Sequence, residues 1–396
     1  MFNKQPQNEH RKIGKQLNLF DLSSASAGMV NWYPKGYELY QKIEQFIRQQ
    51  QNAHGYKEVK SPIMANSNLW QQSGHLDKYH DDMFMFENDK QQVAIKPMSC
   101  PFHIQMFQSL VQSYQQLPLR LAEFGLCHRN EASGALNGLL RLRSFNQDDG
   151  HIFCRRPHIE QELIDFVELL FAIYERFGFN KSSIKVKISL RPLQSAGNDE
   201  HWQEAELALQ NALNKQGLAY DLLPGEGAFY GPKVEFSLQD SLKREWQCGT
   251  FQLDFILAER MNAHFINEQG NKEHPVILHR AVLGSLERFI AILIEHHQGK
   301  LPLWLNPNAI SILPVNADHQ AYAQQVKQQL SNRGINISIN SNNDSISYRL
   351  RQHFKQKGLY CLIIGDDEQQ QSLITVRDKK SNRQMSVEQF VEQVIQ

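Results

Sequence analysis

A chain of 396 residues is long enough for two or three domains with cores of their own, and 41% hydrophobic with 21% charged residues is an ordinary globular composition. Formal net charge is zero, which excludes a global basic field for nucleic acid and leaves any RNA contact to local Lys/Arg patches. The scattered, odd set of five cysteines (Cys100, Cys127, Cys154, Cys248, Cys361) argues against a disulfide framework, and the polar start and short apolar runs argue against a signal peptide or membrane span, so a cytoplasmic protein is expected.

Taken in chain order, residues 29–48 open with a turn and continue as an amphipathic helix on Leu39, Ile43, Phe46 and Ile47. Residues 59–64 read as a short strand carrying Pro62. Residues 117–127 and 139–146 are apolar-rich strands separated by a polar Gly/Asn loop, a hairpin signature. Residues 276–280 are strand-like and run into helical spacing over 282–297. This mixture predicts an α+β domain, an antiparallel sheet flanked by helices, over residues 1–302. A shorter series follows over 303–396: strand 308–315, helix 317–332, strand 335–340, helix 345–357, buried strand 359–365, strand 373–377 and closing helix 387–395. That order predicts a smaller α/β domain on a mostly parallel sheet.

The hairpin carries the chemistry. Its sequence AEFGLCHRNEASGALNGLLRLRSFNQDDGHIF holds Arg129, Glu131, Arg141 and Arg143 around a loop, then Phe145, Gln147, Asp149 and His151 at alternate positions. Alternate side chains of a strand share a face, so an aromatic plate, an amide, a carboxylate and an imidazole would enter one pocket. Burying the polar ones without partners costs several kcal/mol, which favours a site over a merely solvated hairpin. The chain contains no GxxxxGK[ST] and no GxGxxG, so phosphate-loop and Rossmann readings have no support.

An arginine after a strand, then a loop, then Arg-x-Arg-x-Phe resembles motif 2 of the class II aminoacyl-tRNA synthetases. Residues 276–288 (VILHRAVLGSLER) resemble their motif 3, and Pro62 in YKEVKSPIM resembles the motif 1 proline at their dimer interface. KPMSCPFH, AEFGLCHRNE, FNQDDGHIFC, GEGAFYGPKVEF and HRAVLGSLERF together resemble the threonyl-tRNA synthetase family from about His10 onward. The resemblance implies ATP-dependent activation of L-threonine and its transfer to tRNA(Thr) by a cytoplasmic homodimer, with no membrane and no DNA partner. It also implies one Zn2+ per subunit on Cys100, His151 and His279, and Mg2+ with ATP. Three protein ligands leave a zinc position open for substrate. By the same resemblance Arg129, Lys233 and Arg288 are catalytic. Asp149, Tyr230, Gln252, Met98 and Gln147 bind the amino acid. Glu131, Arg141, Phe145, Gln247 and Ser285 join Arg129 and Arg288 around ATP, with adenine between Phe145 and the Arg288 guanidinium. In the C-terminal domain, which resembles the synthetase anticodon-binding domain, Asn343, Arg351, Glu368 and Arg377 fall on anticodon positions.

The chain departs from the family pattern at Phe102 and Ser144, where glycine is usual, at Gly150, where alanine is usual, and at Lys357, where arginine is usual. A short form of the family without the N-terminal editing region is expected, one that activates serine and does not remove seryl-tRNA itself. Two other readings remain open at this point: a paralogue that loads threonine or serine onto a carrier protein, and a non-catalytic RNA-binding module.

Overall fold

A computed structural model describes residues 9–395 of the chain. Packing separates them into two units, one of residues 22–30 and 44–292, the other of the chain up to Asp21, residues 31–43 and the chain from Leu293 onward. The larger unit is built on β1 (Lys57–Glu58), β2 (Leu119–His128), β3 (Ser144–Cys154), β4 (Lys185–Ser189), β5 (Asp221–Leu223), β6 (Lys233–Gln239), β7 (Glu245–Asp254) and β8 (Val276–Ala281). They form one sheet in the order β5-β4-β6-β7-β8-β3-β2-β1, antiparallel except for the outermost pair at each edge. An antiparallel-rich sheet with helices is the α+β architecture expected for this part of the chain.

Alternation along these strands separates two jobs. One face meets the helix Ile159–Arg176, whose buried Ile159, Leu163, Phe166, Leu170 and Ile173 recur at helical spacing. Phe166 lies 6.1 Å from Phe236 and 5.3 Å from Phe251, ring to ring, and each such buried ring contributes about 1.5–3 kcal/mol. On the other face Phe107, from the helix Cys100–Leu110, stacks on Phe153 at 4.6 Å. That helix roofs part of the sheet and leaves the rest open as a cavity.

Three sequence expectations for this unit need correction. Residues 59–64 do not form one strand: Val59 N–H still bonds Ala122 O at 2.8 Å, but the Ser61 N–H goes to the Glu123 side chain, Pro62 has none to give, and a separate short strand begins only at Met64. The second hairpin strand begins at Ser144 rather than 139, because Leu140 N–H turns back to Asn137 O and Gly138 adopts φ +55°. Leu139, Leu140 and Leu142 are buried all the same, so their apolarity marked burial and not a strand. The helix expected from 282 begins at Leu286, because Gly284 has φ +72°. A Cβ on Gly284 would stand 2.8 Å from Cys248 O, so only glycine fits the turn.

The smaller unit holds a five-stranded sheet. Its strands are β9 (Ile310–Pro314), β10 (Ser338–Ile339), β11 (Tyr360–Ile364), β12 (Ile374–Arg377) and β13 (Asn382–Met385), in the order β10-β9-β11-β12-β13. The first three are parallel, while β12 and β13 are antiparallel additions, so the sheet is mixed rather than mostly parallel. The edge strand β13 reads NRQM, too polar to signal a strand, as suits an edge that faces water. Helices Gln320–Ser331 and Ile346–Lys355 accompany it, with Val326, Leu330, Ile312, Leu362 and Phe390 in the core. The closing helix spans Val387–Phe390 and widens into a π turn over Val391–Ile395. Among the described residues no helix is long and apolar enough to cross a membrane.

Candidate active site

The cavity on the open face has a volume of about 510 Å³, the size of a small-molecule site. Strand register creates it. Lys233 is the partner of Gln252, Gln252 of His279, and His279 of His151, so one row of side chains crosses four strands on one face. Phe145, Gln147, Asp149 and His151 of β3 all line the cavity, as their alternation requires. Met98, Cys100, Arg129, Glu131, Arg141, Tyr230, Lys233, Gln247, Gln252, His279, Ser285 and Arg288 line it as well. Every residue given a catalytic, amino-acid, ATP or metal role in the larger unit is therefore brought to one place, whereas Arg143 of the hairpin does not line the cavity.

Asp148, on the opposite side of β3, anchors the turn ahead of the helix Leu286–His296. Its carboxylate accepts from the Val282 and Leu283 N–H groups at 2.8 and 3.0 Å, from Arg280 Nη1 at 2.9 Å and from Gln51 Nε2 at 2.6 Å. Gly150 leaves room for this arrangement, since a Cβ there would stand 2.5 Å from the Arg280 guanidinium.

The ligand atoms of Cys100, His151 and His279 all lie within 4.8 Å of one another, and all three residues are buried. Each imidazole has its far nitrogen occupied. His279 Nε2 is 2.8 Å from Asp254 Oδ2, and His151 Nδ1 is 2.8 Å from His103 Nδ1. A carboxylate only accepts, so His279 must donate from Nε2 and present a bare Nδ1. One sulfur and two imidazole nitrogens, each ring oriented by a second partner, form a donor set that fits zinc. Burial pushes the Cys100 thiol well up, reinforced by Asp149 and Asp254, so a cation is what would hold it as thiolate.

Around this set, Tyr230 stacks on His279 at 5.0 Å and its hydroxyl donates to Gln252 Oε1 at 2.5 Å. Asp149 is 6% exposed, and burial raises its carboxyl above the ordinary value despite His103 and His279. Gln147 Oε1 is buried and accepts nothing among the described residues, which leaves an acceptor for a ligand.

The basic residues occupy the same cavity. Arg129 lies over the Phe145 ring at 5.2 Å. Arg288, expected there, lies instead over Trp246 at 5.6 Å and donates to Leu140 O at 3.0 Å and Gln247 O at 2.9 Å. Arg129, then, is the group on the aromatic plate. Arg141 pairs with Glu131 at 2.9 Å, and Lys233 with Glu235 at 2.8 Å. Ser285 Oγ accepts from Arg288 N–H at 3.2 Å and donates to Glu287 Oε2 at 2.9 Å.

Sequence reading missed His75, Trp246 and Asp254. His75 lines the cavity with Nε2 3.7 Å from Cys100 Sγ, and burial, with His279 and Arg260, lowers its pKa to about 3, so it is a neutral imidazole. Nothing in its local sequence marks it. Asp254 was within reach, because the alternation of Thr250 and Gln252 on β7 continues to it.

Glu287 adds a pH dependence. It is 3% exposed, and burial, only partly offset by Asn146 and Ser285, pushes its carboxyl up to about 7 from 4.5. Between those values the folded chain holds a proton that the unfolded chain has released. The stability from this group is complete below 4.5 and lost as pH rises through 7, roughly 3 kcal/mol in all. Denaturant unfolding at pH 5 and pH 8 should show the native chain losing roughly 2–3 kcal/mol more than Glu287→Gln. Equal losses would mean that Glu287 is already ionised at pH 5.

In the smaller unit, Asn343 and Arg351 are exposed, while Arg377 is half-buried on β12. Glu368 is occupied: it accepts from Gly365 N–H at 2.9 Å and Thr375 Oγ1 at 2.5 Å. Lys357 has φ +61°.

Residues 84–297 match the family described as the tRNA synthetase class II core domain (G, H, P, S and T), and residues 309–396 match the anticodon binding domain. The chain is 48% identical over 384 residues to a threonine–tRNA ligase of Marinobacter nauticus, covering 96% of this chain and 60% of that protein. It thus spans about three fifths of the length of the curated relatives it matches. Among solved structures, the RNA binding domain of threonyl-tRNA synthetase from Cryptosporidium parvum superposes with a TM-score of 0.92 at 40% identity, over 97% of both chains. A putative threonyl-tRNA synthetase from Aeropyrum pernix follows at 0.81 and 28%, covering 95% of this chain and 90% of that one.

Proposed function

The chain belongs to the threonyl-tRNA synthetase family of class II aminoacyl-tRNA synthetases, and from that premise we propose that it activates L-threonine with ATP and transfers it to tRNA(Thr). The observation that carries this reading is the row Lys233–Gln252–His279–His151, which brings amino-acid-sized polar groups into one cavity with Arg129, Arg141 and Arg288.

Activation joins the threonine carboxylate to the α-phosphorus and releases pyrophosphate. The carboxylate is ionised at neutral pH, so no base is required, and the demand is for positive charge where phosphoryl charge grows. Arg129 and Arg288 supply it in this proposal, with Lys233 at the reacting end and Mg2+ arriving on the ATP phosphates. Phe145 offers adenine a plate, Arg288 or Arg129 covers its other side, and Glu131 with Arg141, Gln247 and Ser285 complete the nucleotide contacts. Cys100, His151 and His279 would hold a zinc ion, which would supply a Lewis acid for the amine and hydroxyl of threonine. Asp149 accepts a hydrogen bond from that hydroxyl, and Tyr230, Gln252, Gln147 and Met98 enclose the rest.

Specificity follows from what each competitor lacks. Valine brings no hydroxyl, and a site built around one rejects such an isostere by about 10⁴–10⁵-fold. Serine brings the hydroxyl and lacks one methyl, a difference of about 10–200-fold only. ATP–pyrophosphate exchange with the three amino acids should return that order. Serine activity absent at high concentration would contradict it.

Charging of tRNA(Thr) with labelled threonine tests the transfer step. Adenylate formation without charging would point to a different acceptor. The tRNA contact is proposed for Asn343, Arg351, Glu368 and Arg377. A homodimer through the segment of Pro62 is proposed as well, next to the exposed Ile63 and Met64.

A further inference from the structure

Behind His151 runs a buried chain of side chains outside the cavity lining. His151 Nδ1 stands 2.8 Å from His103 Nδ1, and His103 Nε2 stands 3.2 Å from Glu123 Oε2. Glu123 Oε2 also accepts from the Ser61 hydroxyl at 2.7 Å, while Oε1 accepts from Ser61 N–H at 2.9 Å and from Lys96 Nζ at 3.1 Å. His103, His151, Lys96 and Glu123 are 0%, 1%, 1% and 4% exposed.

The order of donors along this chain has one solution. Every neighbour of Glu123 is a donor, and Lys96 balances its charge, so a further buried charge on His103 would have no partner. A neutral His103 must then carry its proton on Nε2, facing the carboxylate. Its Nδ1 is left bare and accepts, so His151 must carry its own proton on Nδ1. Asp149 Oδ1, 4.0 Å from the same nitrogen, favours that proton too. His151 Nε2 is thereby stripped of hydrogen, on the ring that sits with Cys100 and His279.

We infer that Glu123, acting through His103, is a positioning residue that fixes the tautomer of His151 and so makes its Nε2 able to bind a divalent cation. The inference rests on the metal reading above and adds to it a device outside the cavity lining, set by proton placement alone. Orienting partners of this kind typically change metal affinity by about 10–100-fold.

Glu123→Gln tests it. Oε1 faces two donors, Ser61 N–H and Lys96, so the amide oxygen takes that side and the amide nitrogen meets His103 Nε2. The amide then donates to His103, whose proton moves to Nδ1, and His151 is turned to the Nε2–H form. Two readouts apply to the full chain: cobalt(II) titration, followed by the thiolate-to-cobalt and d–d absorption bands, and long-range 15N NMR of the metal-free, histidine-labelled protein. The native chain should bind one cobalt and show His151 as Nδ1–H. Glu123→Gln should bind cobalt about 10–100-fold more weakly and show Nε2–H. Adding His103→Asn, whose amide oxygen can accept from His151 Nδ1 independently of residue 123, should restore affinity to within a few fold. Because Glu123→Gln strands the Lys96 charge, Lys96→Met with Glu123→Gln serves as the folding-safe variant, and it should be folded by circular dichroism yet bind weakly.

Unchanged cobalt affinity in a folded Glu123→Gln or double variant overturns the inference while the metal reading stands. So does weak binding that His103→Asn fails to restore, which would assign the loss to packing. No cobalt bands from the native chain would overturn the metal reading and this inference with it.

Discussion

If the proposed zinc site holds, replacing Cys100 with alanine is expected to abolish zinc binding and to lower kcat/KM for threonine by about 10⁴-fold, toward the level of valine. Cys100 opens the helix Cys100–Leu110 and contributes the one sulfur of the set. With two imidazoles left, a zinc position loses its thiolate and its charge balance. What remains around the amino acid, Tyr230 stacked on His279 and the Gln252 amide, is too permissive to separate threonine from an isostere without oxygen. The KM for ATP should change little, since Arg129, Phe145 and Arg288 do not touch the sulfur. Elemental analysis and pyrophosphate exchange with threonine and valine check the pair of effects. A zinc-free variant that still separates the two amino acids would sink the metal reading.

Arg129→Ala and Arg288→Ala should each lower kcat for pyrophosphate exchange by about 10²–10³-fold, the usual effect of removing one preorganised group facing developing charge. The two are not interchangeable in this structure. Arg129 already lies on Phe145, whereas Arg288 is held by Leu140 O and Gln247 O and must turn from Trp246 if it is to reach adenine. Arg129→Lys keeps charge but loses the planar fork and should fall between the native chain and Arg129→Ala. Residues acting on the same charge are not additive, so the double variant should lose less than the product of the singles. Threonine binding measured by calorimetry without ATP should be almost unchanged in Arg288→Ala. A large loss there would move Arg288 from the phosphate to the amino acid.

Much of the core was legible because period-2 alternation is a local property. Phe145, Gln147, Asp149 and His151 needed only the assumption of a strand, and the structure supplies it. Boundaries were less legible. Leu139, Leu140 and Leu142 look like a strand because they are buried, and burial has no direction in a sequence. Residues 59–64 look like a strand until the Glu123 side chain takes the Ser61 N–H, a contact 62 positions away. The register row from Lys233 to His151 could not be read at all, since pairing of four strands is a long-range fact. His75 and His103 were missed for the same reason. Each matters through what it touches across the fold, His103 through His151 and His75 through Cys100.

Asp148 has a practical consequence for anyone mapping this chain by random mutagenesis. Its carboxylate never faces the cavity, yet it ties the turn that delivers Ser285 and Arg288 to the strand that delivers Asp149 and His151. A loss-of-activity screen would score it beside residues that meet the reactants. Only a companion assay of folding and of small-molecule occupancy would tell the hinge pin from the tools it holds in line.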